Sequence, residues 1–428
     1  MNARSKIDMI EATRLTREGR LEEAMAVLRG ALTGVRLSGA PSGFEREATQ
    51  PSDEGTRRII DMVPPSMGTG GAWTPPRFTR THTAGRLRGM GSPEIPAALR
   101  GFLDRLGKLP SGRGFGGGGQ SAPERPAVRL PDGARFEERI YTNKAGWRAY
   151  KLYVPSGYIG QELPLVVMLH GCTQSPDDFA AGTRMNEIAE EQTFLVAYPA
   201  QTQSANVSKC WNWFSAVDQQ RDQGEPALIA GITRQIMRDF AVDANRVYIA
   251  GLSAGGAAAA IMGATYPDLY RAIGVHSGLA CGAASDLPSA FVAMRQGGSR
   301  SGATSHRFDG PRGGVPTIVF HGDRDTTVNP INGDQVIAQS KASADLRITV
   351  SHGEAPGGIS YTRTVQIDDN GRPMLEQWVL HGAGHAWSGG STSGSYTEPR
   401  GPNASREMMR FFLQHPPANG SRRTAPPE

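Results

Sequence analysis

Arg246–Met262 reads RVYIAGLSAGGAAAAIM, and this stretch decides the fold. Val247, Tyr248 and Ile249 form a short apolar run of the kind that makes a buried strand. Gly251-Leu252-Ser253-Ala254-Gly255 is a tight turn, and the alanine run that follows has the composition of a helix. A bare G-x-S-x-G is a weak signal in a chain with 54 glycines. Set between a strand and a helix it is a nucleophile elbow: glycine removes the Cβ clash in the turn, and Ser253 is pushed out at a helix N-terminus.

Working outward, the folded region is expected to begin near Ala134. Phe136–Thr142 and Trp147–Val154 alternate apolar and polar residues across the turn 143–146, as two antiparallel strands do. Leu163–Leu169 (LPLVVML) is continuously apolar, the pattern of a central strand covered on both faces. Phe194–Ala197, Ile273–His276, Thr317–Phe320 and Leu375–Val379 supply further strands, with helical patterns between most of them. Strands alternating with helices imply an α/β protein with a mainly parallel sheet covered by helices. Sites in such sheets lie beyond the carboxyl ends of the strands.

Four strand ends carry the groups that acyl transfer requires. After Leu169 comes His170-Gly171-Cys172-Thr173-Gln174, a turn placed to aim the Cys172 backbone N–H at an oxyanion; Ala254 would supply the second N–H. Two such donors are worth roughly 3 to 4 kcal/mol each to a tetrahedral intermediate. After Ser253 come the carboxylates Asp323 and Asp325, beyond strand Thr317–Phe320, and then His381 and His385, beyond the last strand. The order Ser, Asp, His is that of α/β-hydrolases. His170, His276, His321 and His381 sit at strand ends and are expected to pack and cap; His381 is the rival base to His385. Cys172 reads as a backbone donor with a small buried side chain.

Together HGCTQ, GLSAGG, FHGDRDTTVNP and GAGHAWSGG resemble the esterase family of short-chain polyhydroxyalkanoate (polyhydroxybutyrate) depolymerases, related to feruloyl and acetylxylan esterases, over residues 135 to 415. The resemblance implies an α/β-hydrolase catalytic domain over 134–415, hydrolysing short-chain hydroxyalkanoate esters or, as the runner-up, feruloyl or acetyl esters. It implies Ser253 as nucleophile, His385 as general base and Asp325 as orienting acid, Asp325 matching H-G-x-x-D-x-x-V while Asp323 lies close behind the strand end and caps the turn. No metal or organic cofactor is called for. Trp387 and the segment Cys210-Trp211-Asn212-Trp213-Phe214 resemble crevice-lining segments of that family, so Trp387, Trp211 and Trp213 are expected to bind substrate.

The rest of the chain reads differently. Residues 1–34 form an expected helical hairpin broken at Gly19, similar to one tetratricopeptide unit and suited to docking on a partner or a granule surface. Residues 35–133 are rich in Gly, Pro, Ser and Arg and are expected to be largely disordered. A short helix near 95–109 interrupts them, either docking on the main domain or seeking a lipid or polymer face. Gln296–Gly314 reads as a flexible insertion and 416–428 as a disordered tail.

Charge is uneven: residues 1–130 hold 20 Lys and Arg against 13 Asp and Glu, a net of +7, which leaves −2 of the chain's +5 for the remainder. Its arginines are scattered without an aromatic platform, which argues against nucleic acid as a partner. No apolar run reaches the roughly 18 residues needed to cross a bilayer. The N-terminal 20 residues have no apolar signal core, so a cytoplasmic location is expected, with the extracellular location of secreted relatives as the alternative. In a reducing cytoplasm Cys172, Cys210 and Cys281 would stay thiols, although one pair could join in an oxidising compartment. A non-enzymatic granule-associated or partner-binding protein on the same fold is the rival reading.

Overall fold

The computed structural model describes residues 130–298, 314–341 and 346–415. The expected N-terminal hairpin, the arm with its 95–109 helix, most of the 296–314 insertion and the tail lie outside the described residues.

One ten-stranded sheet dominates, in the order β1-β2-β4-β3-β5-β6-β7-β10-β9-β8. Its strands are β1 (Arg135–Asn143), β2 (Gly146–Val154), β3 (Leu163–Leu169), β4 (Leu195–Pro199), β5 (Val242–Leu252), β6 (Ala272–His276), β7 (Thr317–Gly322), β8 (Arg347–Glu354), β9 (Ser360–Ile367) and β10 (Pro373–Leu380). The six central strands β4, β3, β5, β6, β7 and β10 are mutually parallel. Antiparallel strands close both sides: β1 and β2 on one, the β8–β9 hairpin on the other.

Alternation along the central strands explains the two-sided core. Leu165, Val167 and Leu169 of β3 enter one apolar cluster with Val247 and Ile249 of β5; Val166 and Met168 enter the opposite one with Tyr248, Ala250 and Leu252. The first face is covered by α3 (Gly224–Asp239), α4 (Ala254–Thr265), α5 (Leu287–Gln296) and α6 (Ile331–Ser340). The second is covered by α1 (Pro176–Thr183), α2 (Met185–Gln192) and α7 (Ala404–Leu413). Each Val or Leu buried this way contributes about 1.5 to 3 kcal/mol relative to exposure.

The eight expected strands are all present. The β8–β9 hairpin has no apolar run to announce it, because RITVSHGE is mostly exposed, SYTRTVQI is half-buried, and both mix polar residues throughout. Strand β5 begins five residues before its apolar core, at Val242, since the polar stretch Asp243–Arg246 continues the extended chain at the half-buried entry to the sheet.

Two glycines let α4 lie against the sheet. A Cβ on Gly255 would stand 2.1 Å from Leu169 O, and one on Gly251 would stand 2.3 Å from Gly255 C, both backbone atoms that cannot swing aside. Gly255→Ala is therefore expected to destabilise the domain by about 3 kcal/mol or more, seen as a lowered midpoint in thermal or urea unfolding; an unchanged midpoint would show that the elbow can relax.

Candidate active site

The elbow is built as the sequence predicts. Ser253 links β5 to α4 with φ 59° and ψ −120°, a left-handed conformation that a non-glycine residue holds only under constraint. Its N–H donates to His276 O at 2.9 Å, which ties the turn to the neighbouring strand β6. Ala254 is the first residue of α4, so its N–H has no acceptor within the helix and points out of the N-terminus beside Ser253. The 170–174 loop lies alongside: Gly171 N–H donates to Gln174 Oε1 at 2.9 Å and Thr173 N–H to Ser208 O at 2.7 Å, fixing the backbone on either side of Cys172.

Asp325 and His385 meet beyond the ends of β7 and β10. His385 Nδ1 and Asp325 Oδ2 are 2.7 Å apart, with both residues buried. The other carboxylate oxygen accepts from the N–H groups of Thr327 and Val328, each at 2.9 Å. Burial alone would raise this acid; the charge of His385 and hydrogen bonds from His321 and His385 outweigh it and hold the carboxyl far below its ordinary range. An ionised Asp325 fixes the Nδ1–H tautomer and leaves Nε2 of His385 free to act as a base.

The four other strand-end histidines are engaged elsewhere, as expected. His170 bridges Gly171 O (2.8 Å) and the Gln201 N–H (3.0 Å), and burial brings it down to about 4. His276 accepts from the Ser388 N–H at 3.0 Å, and burial lowers it to about 3. His321 lies 2.8 Å from Val328 O. His381 pairs with Asp323 at 3.0 Å, and Asp323 also accepts from the Gly382 N–H at 2.7 Å, the turn-capping role anticipated for it.

Ser253 opens onto a cavity of about 220 Å³. Its walls are almost wholly apolar, with Cys172, Trp213, Phe214, Phe291, Met294 and Val328 prominent and no charged side chain among them. Three expectations need correction here. Trp387 is 1% exposed and lies beneath the site, stacked on His276 at 5.1 Å and edge-on to Phe179 at 5.4 Å, with its indole N–H on Ser405 Oγ. Trp211 is fully buried and donates to His170 O at 3.1 Å. Both rings fill the space under the loops, so of the three tryptophans Trp213 alone lines the cavity. The third correction concerns the cysteines: Cys172 and Cys210 form a disulfide, their Cα atoms 4.2 Å apart, while Cys281 is a buried thiol. The segment 201–214 doubles back over the 170–174 loop, a proximity invisible at a sequence separation of 38.

Phe291 and Met294 of α5 were not singled out from sequence, since apolar helix residues look alike whether they face a core or a cavity. Among the described residues no cluster of His, Cys, Asp and Glu could hold a metal ion, and no helix is long and apolar enough to cross a membrane.

Residues 148–350 match the protein-family model described as Esterase PHB depolymerase. Over that segment the chain is similar to this esterase family. Its curated relatives include Poly(3-hydroxyalkanoate) depolymerase C of Paucimonas lemoignei, 32% identical over 57% of this chain and 59% of that protein. Feruloyl esterase B of Thermothelomyces thermophilus is 27% identical over 55% of this chain and 82% of that one. The chain thus spans less than two thirds of the depolymerase it matches. Among solved structures, the acetyl xylan esterase from Aspergillus awamori superposes with a TM-score of 0.51 at 20% identity, covering 65% of this chain and 99% of its own. The fold is that of the α/β-hydrolases.

Two outcomes follow from this geometry. Trp387→Ala, which empties a buried site, is expected to cost about 3 to 5 kcal/mol in chemical denaturation, whereas Trp213→Ala should chiefly alter ester affinity; the reverse pattern would restore Trp387 to the wall. Because Asp325 is held below its unfolded value, its contribution is complete above roughly pH 4 and is lost as pH falls further. The acid limb of unfolding midpoint against pH should therefore be flatter in Asp325→Asn than in wild type, and identical limbs would refute the assignment.

Proposed function

We propose that this chain is a serine carboxylic-ester hydrolase acting on short-chain hydroxyalkanoate esters. The observation that carries the reading is the buried His385–Asp325 pair of 2.7 Å, delivered to the same end of the sheet as the constrained Ser253 elbow. In this reading His385 Nε2 takes the hydroxyl proton as Ser253 Oγ attacks the ester carbonyl. The N–H groups of Cys172 and Ala254 receive the oxyanion. Collapse of the tetrahedral intermediate expels the alcohol, protonated by His385, and leaves the acyl group on Ser253. Water, deprotonated by His385, then attacks the acyl-enzyme and regenerates the serine.

The choice of substrate is supported by the uncharged cavity, which suits a neutral acyl group, and by the depolymerase relative. Feruloyl or acetyl esters are the second reading, favoured by the edge-on pair Trp213–Phe214 in the wall, two rings against which an aromatic acid can pack. Docking of residues 1–34 on a polymer granule or protein partner is a separate proposal that rests on the hairpin pattern alone.

The test is turnover of p-nitrophenyl esters from acetate to octanoate, a hydroxybutyrate oligomer and methyl ferulate by wild type and Ser253→Ala. Wild type should cleave the short esters and the oligomer faster than the ferulate, and the variant should fall by roughly five orders of magnitude. Equal inertness of both proteins would refute the hydrolase reading, and ferulate preference would replace the substrate.

A further inference from the structure

Segment 201–214 contains no helix or strand, yet it supplies Trp213 and Phe214 to the cavity wall and Cys210 to the disulfide with Cys172. Something must fix irregular backbone at such a place, and the bonds converge on Glu225, in the first turn of α3. Its carboxylate is 5% exposed and lines no part of the cavity. Oε2 accepts the Asn212 N–H at 2.7 Å; Oε1 accepts Asn212 Nδ2 at 2.8 Å and Gln201 Nε2, and the Arg148 guanidinium stands 3.6 Å away. Gln201 also donates to Cys210 O at 2.9 Å, and Asn206 joins the cluster through Asn212 Oδ1 at 2.9 Å.

We propose that Glu225 is a positioning residue for acyl specificity: it gathers both ends of segment 201–214 and thereby sets where Trp213 and Phe214 stand in the acyl pocket. A carboxylate is an expensive means of merely filling space. Burial and the nearby Asp218 charge push Glu225 up to about 7 against the opposing donors, whereas an apolar side chain of equal volume would carry no such cost. What a carboxylate supplies and an apolar group does not is directional acceptance from two separate chain positions, 201 and 212, with the Arg148 charge 3.6 Å away. The disulfide and the Thr173–Ser208 hydrogen bond anchor the stretch between those ends to the 170–174 loop, and Glu225 holds the ends themselves, one of them next to Trp213.

The inference rests on the esterase reading, and the experiment separates the two. Steady-state kinetics on p-nitrophenyl acetate and octanoate would be compared for wild type and Glu225→Gln, together with amide hydrogen exchange across residues 201–214. The Gln variant keeps the volume but turns one acceptor into a donor facing Asn212. The octanoate-to-acetate ratio of kcat/KM is expected to fall roughly tenfold, the loss carried by KM, since bonds to a charged acceptor are among the stronger ones. Exchange should quicken within 201–214 and stay slow in β3 and β5. Equal losses on both esters, or an unchanged ratio, would make Glu225 a plain scaffold residue and overturn the proposal while the esterase reading stands. Should wild type cleave no ester, that reading fails and exchange alone decides: unaltered exchange in 201–214 overturns the positioning role as well. If Glu225→Gln does not fold, Asn212→Ala removes one arm of the same clamp and should shift the ester ratio in the same direction.

Discussion

The close approach of α4 to the end of β3 is the constraint on which the site depends. Gly255 lies against Leu169 O with no room for a Cβ, and Gly251 is pressed against Gly255 in turn. Because helix and sheet touch backbone to backbone there, the single residue between them is forced into the left-handed conformation of Ser253. The same contact places the first N–H of α4 beside the serine and the 170–174 loop opposite it. A constraint of this kind is steric, so it holds before any substrate arrives and does not depend on pH or salt.

Around that fixed point the parallel strands act as a delivery device. Neighbouring strands β6, β7 and β10 all end on the same side, and each leaves a histidine or aspartate at its exit. The chemistry is then sorted by partners. Four histidines end in bonds that hold loops together. Among the described residues, only His385 has its Nδ1 on a buried, fully hydrogen-bonded carboxylate. Similar residues thus play different parts because their surroundings differ.

The cavity wall is organised by other means. Segment 201–214 has no ladder of its own, so a disulfide, the Trp211–His170 bond and the Glu225 cluster substitute for regular structure. The tryptophans beneath and beside it divide accordingly: Trp387 and Trp211 complete the floor with their N–H groups satisfied, and Trp213 faces the space a substrate would occupy. A large aromatic close in sequence to a proposed catalytic residue need not touch substrate: Trp387, two residues after His385, is buried against His276 and Phe179.

Sequence by itself determined the strand–turn–helix elbow, the succession of buried strands, and Ser253, Asp325 and His385 as the residues of interest. Each of these is local: apolar runs, glycine spacing and polar strand exits are written within a few residues of one another. Tertiary structure alone decided the rest. The β8–β9 hairpin carries no apolar signature because its polar strands owe their order to pairing, β9 with β10 and β8 with β9. The Cys172–Cys210 bond, the burial of Trp387 and Trp211, the α5 side of the cavity and the convergence on Glu225 all arise where distant segments cross. Which segments cross is set by the packing of the whole sheet and its helices, and no local pattern encodes that.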